Sequence, residues 1–196
     1  MSFNIVKNKY TKAEQTAQHL GQAAEAGLNF DGAVGTYVDC GDTTVLDGAT
    51  RISVEAIFST TNTSGDVLIS KEWTDFCFKL FFDASGTIKF NLGNGIGNAT
   101  AETSGTYNDG TPKHIVATWD NATLSIYING NLDGTASQPG GSIPNTADKL
   151  ALGAYLKADG TNSNNLDGIL YRARLWNKSL TAAEVTSRFE QADVPF

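Results

Sequence analysis

Two aspartate–glycine steps are candidates for chemistry, because each follows an apolar stretch near one end of the chain. Asp31–Gly32 follows "LNF" near the start, and Asp167–Gly168 lies in "LDGIL" near the other end. An aspartate in such a position can bond a backbone N–H two residues further on, which forms an Asx-turn. Two carboxylates that come together need a proton or a cation between them instead.

Residues that could carry out catalysis are scarce. The two histidines, His19 and His114, do not precede a nucleophile motif. Glycosidases use two carboxylates roughly 5–10 Å apart, often along one strand as Glu-x-Asp-x-Glu, and the sequence has no such run. Glu55 is the single carboxylate centred on a long predicted strand, and we interpret it as a structural or surface residue. The sequence therefore predicts that this protein is not an enzyme.

Aromatic residues in predicted loops are better candidates, and the function that they indicate is sugar binding. Sugar recognition normally uses exposed aromatic rings beside a few amide or carboxylate groups. Trp73, Tyr107 and Tyr155 occupy such loops and are the predicted glycan-binding residues. Other aromatic residues lie inside strand runs and are predicted to belong to the core: Phe78, Phe81, Phe90, Trp119 and Trp176.

Composition and charge limit the fold class and the kinds of partner that this chain can have. A chain of 196 residues with 20 Gly and 4 Pro, in which Thr, Ser and Asn separate short apolar runs, fits one all-β domain. The net charge of −7 disfavours nucleic acid as a partner, because such binding relies on Lys and Arg. No run approaches the roughly 20 apolar residues of a membrane span, and the N-terminus lacks the apolar segment of a signal peptide. We therefore expect that the protein is made in the cytoplasm and has no membrane partner. We also expect Cys40 and Cys77 to be buried, reduced thiols.

Residues 1–27 form a predicted arm with a helix over about residues 12–26. Thr11 and Glu14 form a capping-box pattern at its start. A narrow stripe of less polar residues follows helical spacing: Tyr10, Ala13, Ala17, Leu20 and Ala24. Because alanine side chains bury little apolar area, we expect this assembly arm to dock on a partner, either its own sandwich or another subunit.

The rest of the chain alternates with the period of a β-strand. The stretch "RISVEAIFS" places apolar residues at every second position, and "FCFKLFF" and "GTIKFNL" follow with "DASG" as a turn between them. Asn129–Gly130 predicts a type I′ hairpin turn. A second capping box, Thr181 with Glu184, predicts a short C-terminal helix.

The order and spacing of several fragments resemble the laminin G-like branch of the concanavalin A-like lectin/glucanase superfamily. They are FDG-x₄-YV, "ISVEAIF", "LISK", "HIVATWD", "LSIYINGNLDG", "LALGAY" and "LDGILYRARLWNKSLTAAEV". The resemblance covers residues 28 to about 190 and defines a laminin G-like β-sandwich domain over residues 28–196. It implies an all-β, concanavalin A-like jelly-roll sandwich of two antiparallel sheets whose first and last strands are neighbours. The helical arm has no counterpart in the pattern.

The resemblance also implies a candidate metal site. With neighbouring first and last strands, Asp31 and Asp167 would face one edge of the sandwich. Several members of the family bind a structural Ca²⁺ at carboxylates there, completed by backbone carbonyls, which suits a cation that takes six to eight oxygens. The alternative is that each aspartate only caps its own turn. The sequence leaves both alternatives open.

Two functions follow from this domain and its arm. The first is a virion structural protein, a phage head decoration or tail component, whose arm attaches the knob to other virion subunits or to further copies of itself. The alternative is a stand-alone carbohydrate-binding lectin with glycans as partners. Either function predicts location at a virion or cell-exterior surface without a classical signal peptide.

Overall fold

The computed structural model describes residues 27–71, 77–157 and 159–192. They form fourteen strands and one helix, α1 (Ala182–Glu190). The strands are β1 (Leu28–Asp31), β2 (Val38–Asp39), β3 (Ile52–Ser59), β4 (Val67–Lys71), β5 (Phe78–Phe82), β6 (Thr87–Gly93), β7 (Asn98–Thr106), β8 (Lys113–Trp119), β9 (Thr123–Ile128), β10 (Asn131–Ser137), β11 (Ala151–Leu152), β12 (Tyr155–Leu156), β13 (Asn162–Ser163) and β14 (Asp167–Trp176).

Two six-stranded antiparallel sheets pack face to face. The first sheet has the order β1-β14-β3-β8-β9-β10, and the second has the order β2-β11-β4-β5-β6-β7. Strands β12 and β13 form a separate hairpin. The first and last strands are hydrogen-bonded neighbours, with Leu28 opposite Leu170. This confirms the predicted all-β class, the two antiparallel sheets and the pairing of the two ends.

The core lies between the sheets, where alternate residues of each strand point inward. Phe58 of β3 stacks on Phe82 of β5 across this space, with ring centroids 6.2 Å apart. Trp119, Phe78 and Phe90 are fully buried there, as predicted. Phe81 differs from its prediction: it is half-buried on the outer face of β5, because inward positions alternate. Trp176 is buried as predicted, in a second hydrophobic cluster.

This second cluster lies on the outer face of the first sheet, beneath α1. Trp176 packs there with Val116, Leu180 and Val185. The helix begins with the predicted capping box, in which the Thr181 hydroxyl accepts from the N–H of Glu184 and the Glu184 carboxylate accepts from the N–H of Thr181. The helix therefore covers the middle of the first sheet and gives it a second buried face.

The predicted hairpin turn at Asn129–Gly130 joins β9 to β10. Both residues have positive φ, 49° and 79°. Asparagine and glycine adopt this conformation at the lowest cost, and it matches the twist of a two-residue hairpin. The type I′ prediction is thus confirmed at this turn.

Several predictions fall outside the described residues. The arm stripe, the predicted helix over residues 12–26 and Trp73 all belong to the ranges that the structure does not describe. Within residues 27–71, 77–157 and 159–192, no helix has the length and apolar character needed to cross a membrane.

Candidate functional site

The candidate site lies on the outer face of the second sheet. Strand β5 alternates between buried and half-buried positions, so Lys79 and Phe81 share the outer face while Leu80 points into the core. On the neighbouring strand β6, Asn91 lies opposite Lys79 and Lys89 lies opposite Phe81. The face is therefore polar, with one aromatic ring in its surface.

The β12–β13 hairpin places a second ring over this face. Tyr155 pairs with Ser163 across the hairpin. The Nζ atom of Lys79 lies 4.6 Å from the centroid of the Phe81 ring and 4.9 Å from that of the Tyr155 ring. Both distances fall within the roughly 6 Å of a cation–π contact. One ammonium group thus contacts two rings that come from different elements.

These groups border a cavity of about 250 Å³. Its lining includes Lys79, Phe81, Tyr155, Ser64, Asn164 and Asp83. The Asn164 amide donates to the carbonyl of Gly65 at 3.0 Å, and the Ser64 hydroxyl donates to the Asp66 carboxylate at 2.7 Å. The loops that supply the polar groups are therefore held by hydrogen bonds. Ring faces, a cation and an amide together suit a ligand with both hydroxyl groups and apolar C–H faces.

Two acidic groups of the described part of this face form ion pairs with Lys89. Its Nζ atom lies 2.9 Å from Asp83 and 3.5 Å from Glu102. The Ser85 hydroxyl and Lys89 hold the pKa of Asp83 well below its usual range, although partial burial opposes the shift. The hydrogen bond with Asp83 in turn raises the pKa of Lys89. The charge of Asp83 is thus balanced locally and repels an anion beside Lys79 less than an unpaired carboxylate would.

Tyr107 has a different environment from Tyr155. Its half-buried ring packs against the core, and its hydroxyl donates to Asp133 of β10. Ser104 also donates to Asp133, through its N–H at 2.9 Å and its hydroxyl at 2.6 Å. Burial and the Asp133 carboxylate raise the pKa of Tyr107 to about 12. Tyr107 therefore connects β10 to the end of β7, and among the predicted glycan residues only Tyr155 lies at the candidate site within the described chain.

Sequence reasoning missed Phe81 and Lys79. Phe81 was predicted to be a core residue because "FKLFF" is apolar at nearly every position. Lys79 could have indicated that Phe81 points outward, because it lies two residues earlier and therefore on the same face of the strand.

The structure brings the two aspartate–glycine steps together. Asp31 lies directly opposite Asp167 in the register of β1 and β14. The Asp31 carboxylate accepts from the Thr36 hydroxyl at 2.6 Å and from the N–H of Ala33 at 3.0 Å, and these bonds, in that order, lower its pKa. Gly32 has a φ of 70°, and a Cβ there would lie 3.2 Å from the Cβ of Asp167. The steps thus form a tight turn where the terminal strands meet.

A Ca²⁺ ion bound at these two aspartates would need six to eight oxygen ligands. Asp31 already uses its Oδ1 atom within an Asx-turn. Across the three described ranges, no group of three or more His, Cys, Asp or Glu side chains is arranged to hold a metal ion. Two exposed carboxylates supply few of the six to eight oxygens that Ca²⁺ takes. The contacts favour the turn interpretation at Asp31, and calcium binding stays a prediction.

Glu55 and His114 form an acid–base pair that is buried and closed off from solvent. The Nε2 atom of His114 lies 2.9 Å from Oε1 of Glu55, and both side chains have 0% exposure. The ring of Phe189, from α1, stacks on the imidazole with centroids 5.9 Å apart. A substrate cannot reach these groups while the helix is docked, so the geometry assigns them to stability.

Comparison with solved structures finds the same fold in proteins of low sequence identity. The CBM40 domain of the Ruminococcus gnavus IT-sialidase, bound to alpha2,3 sialyllactose, gives a TM-score of 0.68 at 18% identity and covers 83% of this chain and 95% of its own. A native heptameric SAP-like pentraxin from Limulus polyphemus gives 0.64 at 16% identity, with 82% and 80% covered.

A third similar structure is that of a botulinum neurotoxin type C described as depending on two ganglioside molecules for cell entry. It gives a TM-score of 0.56 at 13% identity and covers 72% of this chain and 36% of its own. These likenesses show a lectin-like fold.

Comparison with curated protein sequences gives no significant match. A family model described as the concanavalin A-like lectin/glucanases superfamily matches residues 30–186. This range includes all fourteen strands except the first two residues of β1, and it extends into α1. The chain therefore belongs to the laminin G-like family of the concanavalin A-like lectin/glucanases superfamily.

Proposed function

We propose that this protein is a non-catalytic carbohydrate-binding module that binds its ligand on the outer face of the second sheet. The observation that carries the proposal is the pair of rings, Tyr155 and Phe81, that both contact the Lys79 ammonium group at a cavity of about 250 Å³. Aromatic rings stack on the C–H faces of sugars, and nearby polar groups bond the hydroxyls. The site has both components.

Lys79 gives this site a preference for saccharides that carry a carboxylate. An ammonium group beside aromatic rings is partly shielded from water, which strengthens its attraction to an anion. The CBM40 structure contains sialyllactose, an acidic sugar, on the same fold. Since that domain is only 18% identical, the likeness supports the ligand class, and none of its binding residues is transferred to this chain.

The virion role that the sequence first indicated has less support. It depends on the arm, which lies outside the described residues. The similar structures with stated ligands contain sialyllactose or concern gangliosides, and this favours the lectin alternative. Carbohydrate binding is therefore the function that we propose.

The proposal is tested by titrating the full chain with sialyllactose in isothermal calorimetry. We expect Tyr155→Ala to weaken binding roughly tenfold, since a ring contact contributes about 0.5–1.5 kcal/mol beyond its buried area. Tyr171→Ala is the matched control, because Tyr171 is a half-buried tyrosine on the first sheet. Equal losses in both variants, or no binding by the wild-type chain to any sugar of a glycan array, would contradict the proposed function.

A further inference from the structure

Asp66 is a buried acidic residue that immediately precedes β4, and its fractional exposure is 2%. Its Oδ2 atom accepts hydrogen bonds from the amide Nδ2 of Asn62 at 2.7 Å and from the backbone N–H of Asp167 at 3.0 Å. Its Oδ1 atom accepts from the hydroxyl of Ser64 at 2.7 Å. All three donors are neutral groups. Burial of a carboxylate is costly unless hydrogen bonds satisfy it, so these three bonds keep Asp66 in place.

Two segments of the chain meet near this carboxylate, and both line the cavity of the candidate site. Ser64 and Gly65 come from the loop before β4, and Asn164 directly follows β13. The amide of Asn164 donates to the carbonyl of Gly65 at 3.0 Å. The carbonyl of Asn164 accepts from the N–H of Val67, also at 3.0 Å. Asp66 therefore lies at the junction of two segments that hydrogen bonds hold together.

Asp66 is also bonded to the strand that carries the cation and one ring of the site. Its backbone carbonyl accepts from the N–H of Phe82, the last residue of β5, at 3.0 Å. Lys79 and Phe81 belong to the same strand. The carboxylate and the carbonyl of Asp66 thus fix the polar loops relative to the ammonium group and the Phe81 ring.

The backbone of these segments needs such support. Gly65 has a φ of 77° and Asn164 a φ of 52°. Glycine adopts positive φ without steric cost, whereas asparagine carries a Cβ and adopts it less readily. The bonds to Gly65 and from Val67 hold Asn164 in this conformation. The position of the Asn164 amide therefore depends on the contacts around Asp66.

The two loops offer hydrogen-bond acceptors to a ligand. The Ser64 hydroxyl uses its only hydrogen in the bond to Asp66, so toward a ligand it acts as an acceptor. The Asn164 amide uses its Nδ2 atom at Gly65, which leaves its Oδ1 atom as an acceptor. Both residues are exposed at the cavity. Two acceptors in these positions fit the hydroxyl groups of a sugar, which are donors.

We propose that Ser64 and Asn164 form a subsite for the hydroxyl groups of an uncharged sugar unit, and that Asp66 is the positioning residue of this subsite. The inference rests on the proposed carbohydrate function and divides its site into two parts. Lys79 binds the carboxylate of an acidic sugar, whereas the subsite binds sugars with and without a carboxylate. Asp66 does not touch the ligand. It acts through Ser64 and through the loop that bonds to Asn164.

Asp66→Asn is the variant that tests the positioning role. It keeps the size of the side chain but replaces one acceptor oxygen with an NH₂ group, which then faces donors. We expect this variant to weaken the binding of both lactose and sialyllactose roughly tenfold in isothermal calorimetry. The equal loss for the two sugars is the specific readout, because Lys79→Gln should weaken the binding of the acidic sugar alone.

Asp133→Asn is the matched control for a general loss of stability. The half-buried carboxylate of Asp133 also accepts from three neutral donors, which are the hydroxyl of Tyr107 and the N–H and hydroxyl of Ser104. These residues connect β10 to the end of β7 and do not line the cavity. We expect Asp133→Asn to lower the melting temperature and to leave both affinities unchanged. An equal loss of affinity in Asp133→Asn and Asp66→Asn would overturn the positioning role.

Ser64→Ala is a second variant, and it should fold because Ser64 is exposed. It removes one acceptor of the subsite, so both sugars should bind several-fold more weakly. Unchanged binding of both sugars in Ser64→Ala would overturn the subsite, whether or not Asp66→Asn folds. Wild-type binding that neither variant weakens would refute this inference and leave the proposed function standing. A wild-type chain that binds neither sugar would contradict both.

Discussion

The imidazole Nε2 of His114 donates a hydrogen bond to Oε1 of Glu55 at 2.9 Å, and both side chains are fully buried between the first sheet and α1. Two cations approach the other carboxylate oxygen of Glu55: Nη1 of Arg174 lies 3.5 Å away and Nη1 of Arg188 lies 3.9 Å away. Arg188 also lies over the Trp176 ring, 4.2 Å from its centroid. Glu55 is therefore the anion at the centre of the contacts between α1 and the sheet.

Removing this carboxylate should destabilise the protein strongly. In Glu55→Ala, His114 and the two arginines lose their buried anion, and breaking a buried pair in this way costs about 3–5 kcal/mol. Urea unfolding measures the free energy. The matched control is Glu102→Ala, whose half-exposed carboxylate lies 3.5 Å from Lys89 and should contribute less than about 1 kcal/mol. Similar losses in the two variants would show that the buried pair has no special importance.

The same carboxylate predicts a loss of stability in acid. Burial raises the pKa of Glu55, but the hydrogen bond from His114 and the charges of His114, Arg174 and Arg188 outweigh it and lower the pKa overall. A carboxylate with a depressed pKa contributes its full stability above its unfolded pKa of about 4.3, and the contribution is lost as the pH falls through the lower pKa of the folded state.

Unfolding in urea between about pH 5 and pH 2 measures this contribution. Glu184 titrates in the same window, because Lys178 lowers its pKa to about 2. The difference between the wild type and Glu55→Gln therefore isolates Glu55. We expect the wild type to lose more stability than Glu55→Gln as the pH falls. If the unfolding free energies of the wild type and Glu55→Gln fell in parallel with pH, this would contradict a depressed pKa at Glu55.

The sheets could be predicted because their signals are local. The alternation in "RISVEAIFS", the Asn129–Gly130 turn and the Thr181–Glu184 capping box are each readable within a few residues, and each matches the structure. The meeting of Asp31 and Asp167 was expected only through the family resemblance, because the two residues are 136 positions apart in the sequence.

The candidate site was harder to predict because its contacts are long-range. Tyr155 reaches Lys79 only through the packing of the β12–β13 hairpin, and no local pattern specifies that packing. Phe81 lies in a run so rich in apolar residues that both faces of the strand looked buried. The sequence placed Tyr107 in an exposed loop. Its hydrogen-bond partner, Asp133, lies on β10, and this strand contacts β7 only in the folded protein.

The turn at Asp31 predicts a modest loss of stability that is independent of calcium. Asp31→Ala removes the bonds from Ala33 and Thr36, and we expect a loss of about 1 kcal/mol. The turn interpretation alone predicts that EDTA leaves the melting temperature unchanged. A melting temperature that rises with added Ca²⁺ in the wild type but not in Asp167→Asn would instead establish the calcium alternative, because an ion that binds only the folded state stabilises it by mass action.

The last prediction concerns the choice of ligand at Lys79. If its ammonium group binds a sugar carboxylate, Lys79→Gln should weaken the binding of sialyllactose about tenfold or more, because a charge-assisted hydrogen bond contributes about 1.5–3 kcal/mol. Binding of lactose, which has no carboxylate, should change little. Lys89→Gln is the matched control, since Lys89 is a second lysine on the same face and forms ion pairs with Asp83 and Glu102. Added salt should weaken the binding of sialyllactose to the wild type more than to Lys79→Gln, because ions screen a half-exposed charge. Equal effects of Lys79→Gln on both sugars would refute a carboxylate contact, while the loss in Tyr155→Ala would still support a neutral sugar on the same rings.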